Sequence, residues 1–188
     1  MNRWMSRLAF AGVCLLLIAG PTSAQVKPNL TIKNFYGTFE GQTVYESQAG
    51  LSKRDLNVTI KPEDDGGFNI TWTTISQRPN GTIKRAEHSI SFKPTRREGI
   101  YSSAMQVNRF GARVPLDPLK GDPYVWARIE GNKFTVYAML ITDEGGYEMQ
   151  TYERTIADGD MHLKFSRVRN GIPLKEITAK LKRVDKAK

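Results

Sequence analysis

The sequence predicts an all-β fold: a single antiparallel up-and-down β-barrel of about 8–10 strands. Apolar and polar residues alternate with a period of two along almost every segment after residue 35. Most of these segments are joined by tight turns rich in Gly, Asn and Asp. No segment shows the apolar period of an amphipathic helix. A two-sheet sandwich is the alternative, although its Greek-key topology needs long crossings and only one long connection is visible.

The first 24 residues have the pattern of a cleaved signal peptide. Two arginines form a positively charged start, residues 8–20 form an apolar core, and Thr-Ser-Ala supplies the small residues that signal peptidase accepts. The apolar run is shorter than the roughly 20 residues of a transmembrane helix. We therefore expect cleavage near Ala24-Gln25, a periplasmic or secreted protein, and no transmembrane span in the mature chain.

The amino-acid composition limits which functional groups the mature chain can use. Its single cysteine, Cys14, lies inside the signal core, so the mature protein would hold no disulfide and no cysteine nucleophile. The whole chain of 188 residues carries a formal charge of +9, and removing two of its 28 basic residues with the signal leaves 26 against 19 acidic ones. Because these charges are scattered along the chain, the excess favours a solvated basic surface, with an anionic envelope component or a protein partner as the alternative. We expect no nucleic-acid partner.

Residues 25–34 are expected to form an N-terminal leader, and residues 35–188 a single barrel domain. An opening strand (FYGTFEGQTVYE) is followed by a hairpin of residues 54–62 and 68–76, which turns at PEDDGG. Pro79-Asn80-Gly81 then supplies the turn to the strand TIKRAEHSISFK.

Residues 108–122 interrupt the alternation after a strand at 100–107. They contain two prolines and two glycines, and their length suggests a lid or binding loop. Strand patterns resume at residue 124 and continue as a meander to the C-terminus. Within residues 133–142 both faces are apolar, so the outward face must be covered by the leader or the long loop, or must present a surface to a partner.

A barrel of this size is either filled by side chains or retains room for one small ligand. The candidate pocket-wall residues are those on the apolar faces of the central strands. They are Phe68, Ile70, Trp72, His88, Phe92 and Phe134. His88 shares its face with Ile90, where a hydrogen-bonded core histidine is the ordinary alternative to a ligand.

We find no catalytic motif and predict no catalytic residue, metal site or cofactor. His162 shares a face with Lys164 and is expected to be exposed. Asp64-Asp65 and Asp143-Glu144 each precede two glycines and are expected to be turns rather than calcium loops. For Glu153 and Arg154, adjacent in one strand, a cross-strand ion pair is the ordinary explanation, with a catalytic carboxylate as the alternative.

The stretch from Tyr36 to Gly41 (YGTFEG) resembles the G-T-W-x-G opening of lipocalin-like and nitrobindin-like (calycin-type) barrels, with Phe39 in place of Trp. Residues 177–183 are similar to the last strand of the same group. The resemblance implies an antiparallel barrel with an interior pocket. Nitrobindins bind haem through a histidine near the C-terminus, but this chain has no histidine after His162 and carries Glu176 near the expected position. We therefore expect haem not to be the ligand.

These observations favour an exported, non-enzymatic β-barrel that binds a small apolar or amphipathic ligand. The alternative is a cell-envelope interaction protein that uses its basic, partly apolar outer surface. An enzyme is the third hypothesis, since a pocket by itself is not a mechanism.

Overall fold

The structure is a computed structural model that describes residues 30–47, 50–78, 80–103, 106–107, 113–114 and 117–184. The predicted signal peptide and residues 25–29 of the leader lie outside these ranges. The strands are β1 Gly37–Ser47, β2 Gly50–Pro62, β3 Phe68–Gln77, β4 Ile83–Pro94, β5 Ile100–Ser103, β6 Gln106–Val107, β7 Arg113–Val114, β8 Tyr124–Glu130, β9 Lys133–Ile141, β10 Tyr147–Ala157, β11 Asp160–Arg169 and β12 Ile172–Arg183. Three short 3-10 helices span Ile32–Phe35, Asp64–Gly66 and Pro118–Lys120.

Ten of these strands close into one antiparallel barrel. Their order is β1-β12-β11-β10-β9-β8-β5-β4-β3-β2, and β1 completes the circuit by pairing with both β12 and β2. The prediction of an all-β up-and-down barrel is confirmed, and the two-sheet sandwich is excluded. β6 and β7 form a separate two-stranded sheet within the connection from β5 to β8. Residues 108–122, predicted as one long loop, therefore contain β7 and a 3-10 helix.

Strand register determines which side chains face the barrel interior. Phe39 of β1 lies opposite Val58 of β2, which lies opposite Trp72 of β3, and Trp72 in turn lies opposite His88 of β4. Because successive side chains of a strand point to opposite faces, this pairing places one alternating set from every strand inside.

The N-terminal 3-10 helix closes one end of the barrel. Phe35 is fully buried, and its ring centroid lies 5.6 Å from that of Phe134. The backbone N–H of Leu30 donates to the carbonyl of Gly131 at 2.8 Å. Residues 30–34 of the predicted leader therefore pack as part of the barrel end, because Ile32 and Phe35 cover apolar side chains that would otherwise face water.

The two segments that resemble lipocalin-like proteins meet at this closed end. The Arg183 guanidinium lies 4.4 Å from the Phe39 ring centroid and donates to the carbonyl of Tyr36 at 2.5 Å. Between them, β1 and β12 approach closely at Gly41, where a Cβ would collide with the backbone carbonyl of Lys180. Packing therefore explains why a glycine occupies position 41 of the opening motif, since no larger residue fits there without moving β12.

One 3-10 helix of the long connection, Pro118–Lys120, lies near β9. This helix belongs to the connection between β5 and β8, none of its residues is buried, and Leu119 is 84% exposed. Tyr137, on the outer face of β9, stacks against Trp126 of β8 with 4.9 Å between ring centroids.

Candidate functional site

The barrel contains a cavity of about 330 Å³ at the end opposite the 3-10 helix Ile32–Phe35. The cavity is lined by inward-facing side chains of β1–β4 and β10–β12, beyond the packed core. Its apolar wall is formed chiefly by Leu56, Trp72, Tyr152, Leu163, Phe165 and Ile177. Its volume is near the lower limit of known small-molecule sites, which hold roughly 300–1,000 Å³.

The sequence-predicted wall residues divide into two groups along the barrel axis. Trp72 and His88 line the cavity. The other four are buried in the core beneath it, and Phe68 lies at the centre of this group, with ring centroids 5.0 Å from Phe92 and 5.5 Å from Phe134. The alternation of apolar and polar residues identified the inward face of each strand correctly. It contains no information on how far along the barrel axis a residue lies. The predicted set therefore combines the wall of the cavity with the core below it.

His88 is on the inner face, yet its side chain is exposed. The ladder between β4 and β5 covers only Phe92, Lys93 and Pro94. Within the described residues, the part of β4 that carries His88 therefore has β3 as its only ladder neighbour. His88 stacks on Trp72 with 5.0 Å between ring centroids, so it contributes an aromatic surface at the edge of the cavity.

Aromatic rings from four strands form a continuous wall. Trp72 contacts His88 on one side and Tyr152 on the other, with 5.7 Å between the Trp72 and Tyr152 centroids. Tyr152 in turn lies 4.8 Å from Phe165 of β11. Burial raises the pKa of the Tyr152 hydroxyl. That hydroxyl donates to the side-chain oxygen of Gln150 at 3.0 Å, so Tyr152 contributes its ring, rather than a free hydroxyl, to the cavity wall.

The polar part of the lining is basic. Arg54, Arg78, Lys84 and Arg154 line the cavity, and no aspartate or glutamate is among the described residues that line it. Arg54 donates to the Tyr45 hydroxyl at 3.0 Å and lies 4.3 Å from the Tyr45 ring centroid. A lining that carries one sign of charge raises the local concentration of oppositely charged molecules.

Tyr45 lies between two cations. Its ring centroid is 4.3 Å from the Arg54 guanidinium and 4.3 Å from the Lys175 ammonium. Burial acts to raise the pKa of the Tyr45 hydroxyl, but the hydrogen bond and charge of Arg54, together with the charge of Lys175, lower it overall. Burial, and then the nearby charge of Arg54, lower the pKa of Lys175.

Arg154 is the most unusual side chain of the site. It is 1% exposed, and its Nη1 donates to the carbonyl of Tyr152 at 3.3 Å. Its Nε has no partner within the described ranges, which also provide no ion pair for the guanidinium. Burial lowers the pKa of Arg154 to about 10, so the group remains charged at neutral pH.

The interior carboxylate of β10, Glu148, is already neutralised. Its Oε2 accepts from Arg167 at 2.6 Å and from Arg169 at 3.0 Å, and its Oε1 accepts from Gln150 at 2.9 Å. The hydrogen bond from Arg167 is the main cause that lowers the pKa of Glu148 to about 2. Both carboxylate oxygens of Glu148 therefore already accept hydrogen bonds, and Glu148 is not among the residues that line the cavity.

Sequence reasoning missed the basic residues of the cavity. For Glu153 the expected cross-strand ion pair is confirmed, because it contacts Lys133 at 2.9 Å. Arg154 faces the opposite side of β10 and takes no part in that pair. A signal was present, since alternation places Arg154 on the face of Tyr152 and Ile156, and Arg54 on the face of Leu56. His162 is exposed, as predicted.

The outer surface carries a separate aromatic feature. Trp126 stacks on Tyr137, and the ring of Tyr124 is tilted against Trp126 with 5.7 Å between their centroids. These rings border an open groove of about 640 Å³ that Arg97, Glu98 and Arg128 also line, and Arg128 pairs with Glu130 at 2.7 Å. Trp72 and Trp126 therefore lie on opposite faces of the barrel wall.

The described part of the chain contains no group of three or more His, Cys, Asp or Glu side chains placed to hold a metal ion. Within the same ranges, no helix has the length and apolar character needed to cross a membrane. No protein-family model matches the chain, and no curated protein matches it. The closed antiparallel barrel is compatible with a lipocalin-like fold.

Proposed function

We propose that the protein is an exported, non-enzymatic, lipocalin-like barrel that binds a small apolar or amphipathic molecule in the cavity described above. The observation that carries the proposal is the cavity itself, since a barrel filled to its rim would have no room for a ligand. The export component rests on the signal-peptide pattern of residues 1–24.

The composition of the wall supports an amphipathic ligand. Small-molecule sites are mostly apolar, with a few polar groups that set orientation and specificity. Here Leu56, Leu163 and Phe165 supply apolar surface, while Arg54 and Arg154 supply polar groups. The contact between Phe39 and Arg183 supports the lipocalin-like assignment, because it joins the two segments on which the resemblance rests.

Tryptophan fluorescence tests the proposal directly. After signal removal the chain keeps two tryptophans, Trp72 on the cavity wall and Trp126 on the outer face. A neutral dye such as Nile red, 1-decanol and decanoate are titrated into the protein. We expect at least one of them to shift or quench the Trp72 emission.

Two variants show which tryptophan produces the fluorescence response. Trp72→Phe should abolish it, whereas Trp126→Phe should preserve it. Flat emission across the whole panel, from a protein that circular dichroism shows to be folded, would contradict binding in the cavity.

The aromatic groove on the outer face supports a second candidate, an envelope-binding protein. The aromatic rings match the faces of a sugar, and Arg97 supplies a positive charge for an anionic glycan, while Arg128 is paired with Glu130 and Glu98 also lines the groove. Sedimentation with isolated envelope fragments tests it. Trp126→Ala should reduce co-sedimentation severalfold while Trp72→Ala leaves it unchanged, and equal binding by both variants would exclude this face.

A further inference from the structure

The cavity has an uncompensated positive charge at its inner end. Among the described residues that line it, basic side chains are present and carboxylates are absent. The inward-facing carboxylate of β10, Glu148, is held by Arg167 and Arg169. The guanidinium of Arg154 therefore has no internal counter-charge within the described barrel.

Position distinguishes Arg154 from the other basic residues of the cavity. It pairs across the strands with Phe134, a residue of the packed core, so it lies at the deep end. Arg78 and Lys84 are exposed, and solvent satisfies their charges. Arg54 is partly exposed and donates to the Tyr45 hydroxyl, although its Nε is buried without a partner among the described residues. Arg154 also has such an Nε, but the residue is only 1% exposed.

The contacts that Arg154 makes within the described barrel are too few to offset the free-energy cost of burying its charge. A buried charge is expensive unless it is paired and hydrogen-bonded. The Arg154 guanidinium lies 5.5 Å from the Phe134 ring centroid and 5.8 Å from that of Tyr152. Both distances are close to the limit of about 6 Å for a cation–π contact. The hydrogen bond from Arg154 to the Tyr152 carbonyl uses one of the five N–H groups of a guanidinium.

We propose that Arg154 binds the carboxylate of a small amphipathic anion, which enters the cavity acid end first and lays its apolar part against Trp72 and Phe165. This inference rests on the proposed function and names the class of its ligand. A guanidinium binds a carboxylate through two parallel hydrogen bonds, and the unpartnered Nε is one of the donors suited to that geometry.

Charge balance favours a carboxylate over a phosphate monoester. A phosphate monoester carries close to two negative charges at neutral pH, whereas a single buried guanidinium neutralises one. Arg54 and Lys84, on the other side of the cavity, add a positive field that attracts the anion toward the entrance.

Calorimetric titration of the mature protein with three probes of equal chain length tests the inference. The probes are decanoate, 1-decanol and decylammonium, used at neutral pH below their micelle concentrations. We expect decanoate to bind about tenfold to a hundredfold more tightly than 1-decanol, which corresponds to one strong charge-assisted contact. Decylammonium should bind more weakly than either.

Two variants locate the effect. Arg154→Met, which keeps an unbranched side chain of similar length, should reduce decanoate affinity to that of 1-decanol and leave 1-decanol binding unchanged. Arg85→Met is the matched control, because it removes the same charge from an outward-facing position of β4 whose side chain is 63% exposed. It should leave both affinities unchanged.

The outcomes separate this inference from the proposed function. Equal affinity of the wild-type protein for decanoate and 1-decanol would overturn the anion inference and leave cavity binding intact. If Arg154→Met binds decanoate as tightly as the wild-type protein does, the anion inference is likewise overturned and cavity binding is left intact. Absence of binding by all three probes would overturn both. The wild-type comparison requires no variant to fold, so the inference is testable even if Arg154→Met does not.

Discussion

Replacement of Glu148 by Gln should destabilise the barrel in a pH-dependent manner. The Glu148 side chain is 6% exposed and accepts from Arg167 at 2.6 Å and from Arg169 at 3.0 Å. A pKa lowered from 4.5 to about 2 corresponds to roughly 3 kcal/mol of unfolding free energy. Both arginines are between one third and one half exposed, so solvent screens part of this interaction and we expect about 2 kcal/mol.

The direction of the pH dependence follows from the lowered pKa. The unfolded state binds a proton near pH 4.5, whereas the folded state resists protonation down to about pH 2. The stabilisation is therefore complete above the unfolded pKa and is lost as the pH falls between these values. By about pH 3 less than half of it should remain.

Urea unfolding of the wild-type protein and of Glu148→Gln measures this difference. At about pH 7 the variant should be less stable by about 2 kcal/mol, which corresponds to a Tm roughly 4–8 °C lower for a chain of this size. Glu153→Gln is the control, because Glu153 lies on the same strand but faces outward, and its partner Lys133 is 47% exposed. Its effect should stay below about 1 kcal/mol.

Two results would refute this reasoning. If Glu148→Gln costs the same at about pH 7 and at about pH 3, the carboxylate charge is not what stabilises the barrel. If Glu153→Gln costs as much as Glu148→Gln, burial of the ion pair does not distinguish the two sites.

Three further outcomes are expected. Gly41→Ala should lower the unfolding free energy by at least about 2 kcal/mol in urea, because the added Cβ collides with β12, and an unchanged midpoint would contradict the close approach. Haem added to the purified protein should give no stoichiometric Soret shift, and a shift that His88→Ala abolishes would show haem to be a ligand. Mass spectrometry of the exported protein should place its N-terminus at Gln25, and retention of residues 1–24 would contradict a soluble periplasmic form.

The fold was largely predictable because its signals are local. Alternation along residues 54–62 and 68–76, with a turn between them, specifies both strands of a hairpin and the face that turns inward. The same pattern repeats to the C-terminus, and a series of hairpins with one apolar face closes most economically into a barrel. β5 was harder to delimit, because it pairs with only three residues of β4. Residues 32–34 of the 3-10 helix fall within the predicted leader, because the packing of this helix depends on the barrel end that it covers.

The candidate site was predictable in part. Trp72 and His88 were placed on the cavity side by alternation alone, and they line it. Phe68 and Phe134 were chosen by the same rule, but they belong to the core beneath the cavity. The basic residues of the lining were missed because a charged residue within an apolar alternation gives no indication of whether a counter-charge will face it.

The sequence by itself determined the strands, the turns and the set of side chains that face inward, because each depends on neighbours a few residues apart. Only the tertiary structure decided which inward residues lie at the same depth. Closure of β1 onto β12 and the register of ten ladders bring Arg154 of β10 beside Phe134 of β9 and place both on the same interior as Trp72 of β3. Period-two alternation shows which face of a strand a residue occupies, but not its position along the barrel axis. The depth of the cavity therefore does not follow from any single strand, and neither does the absence of a counter-charge beside Arg154 among the described residues.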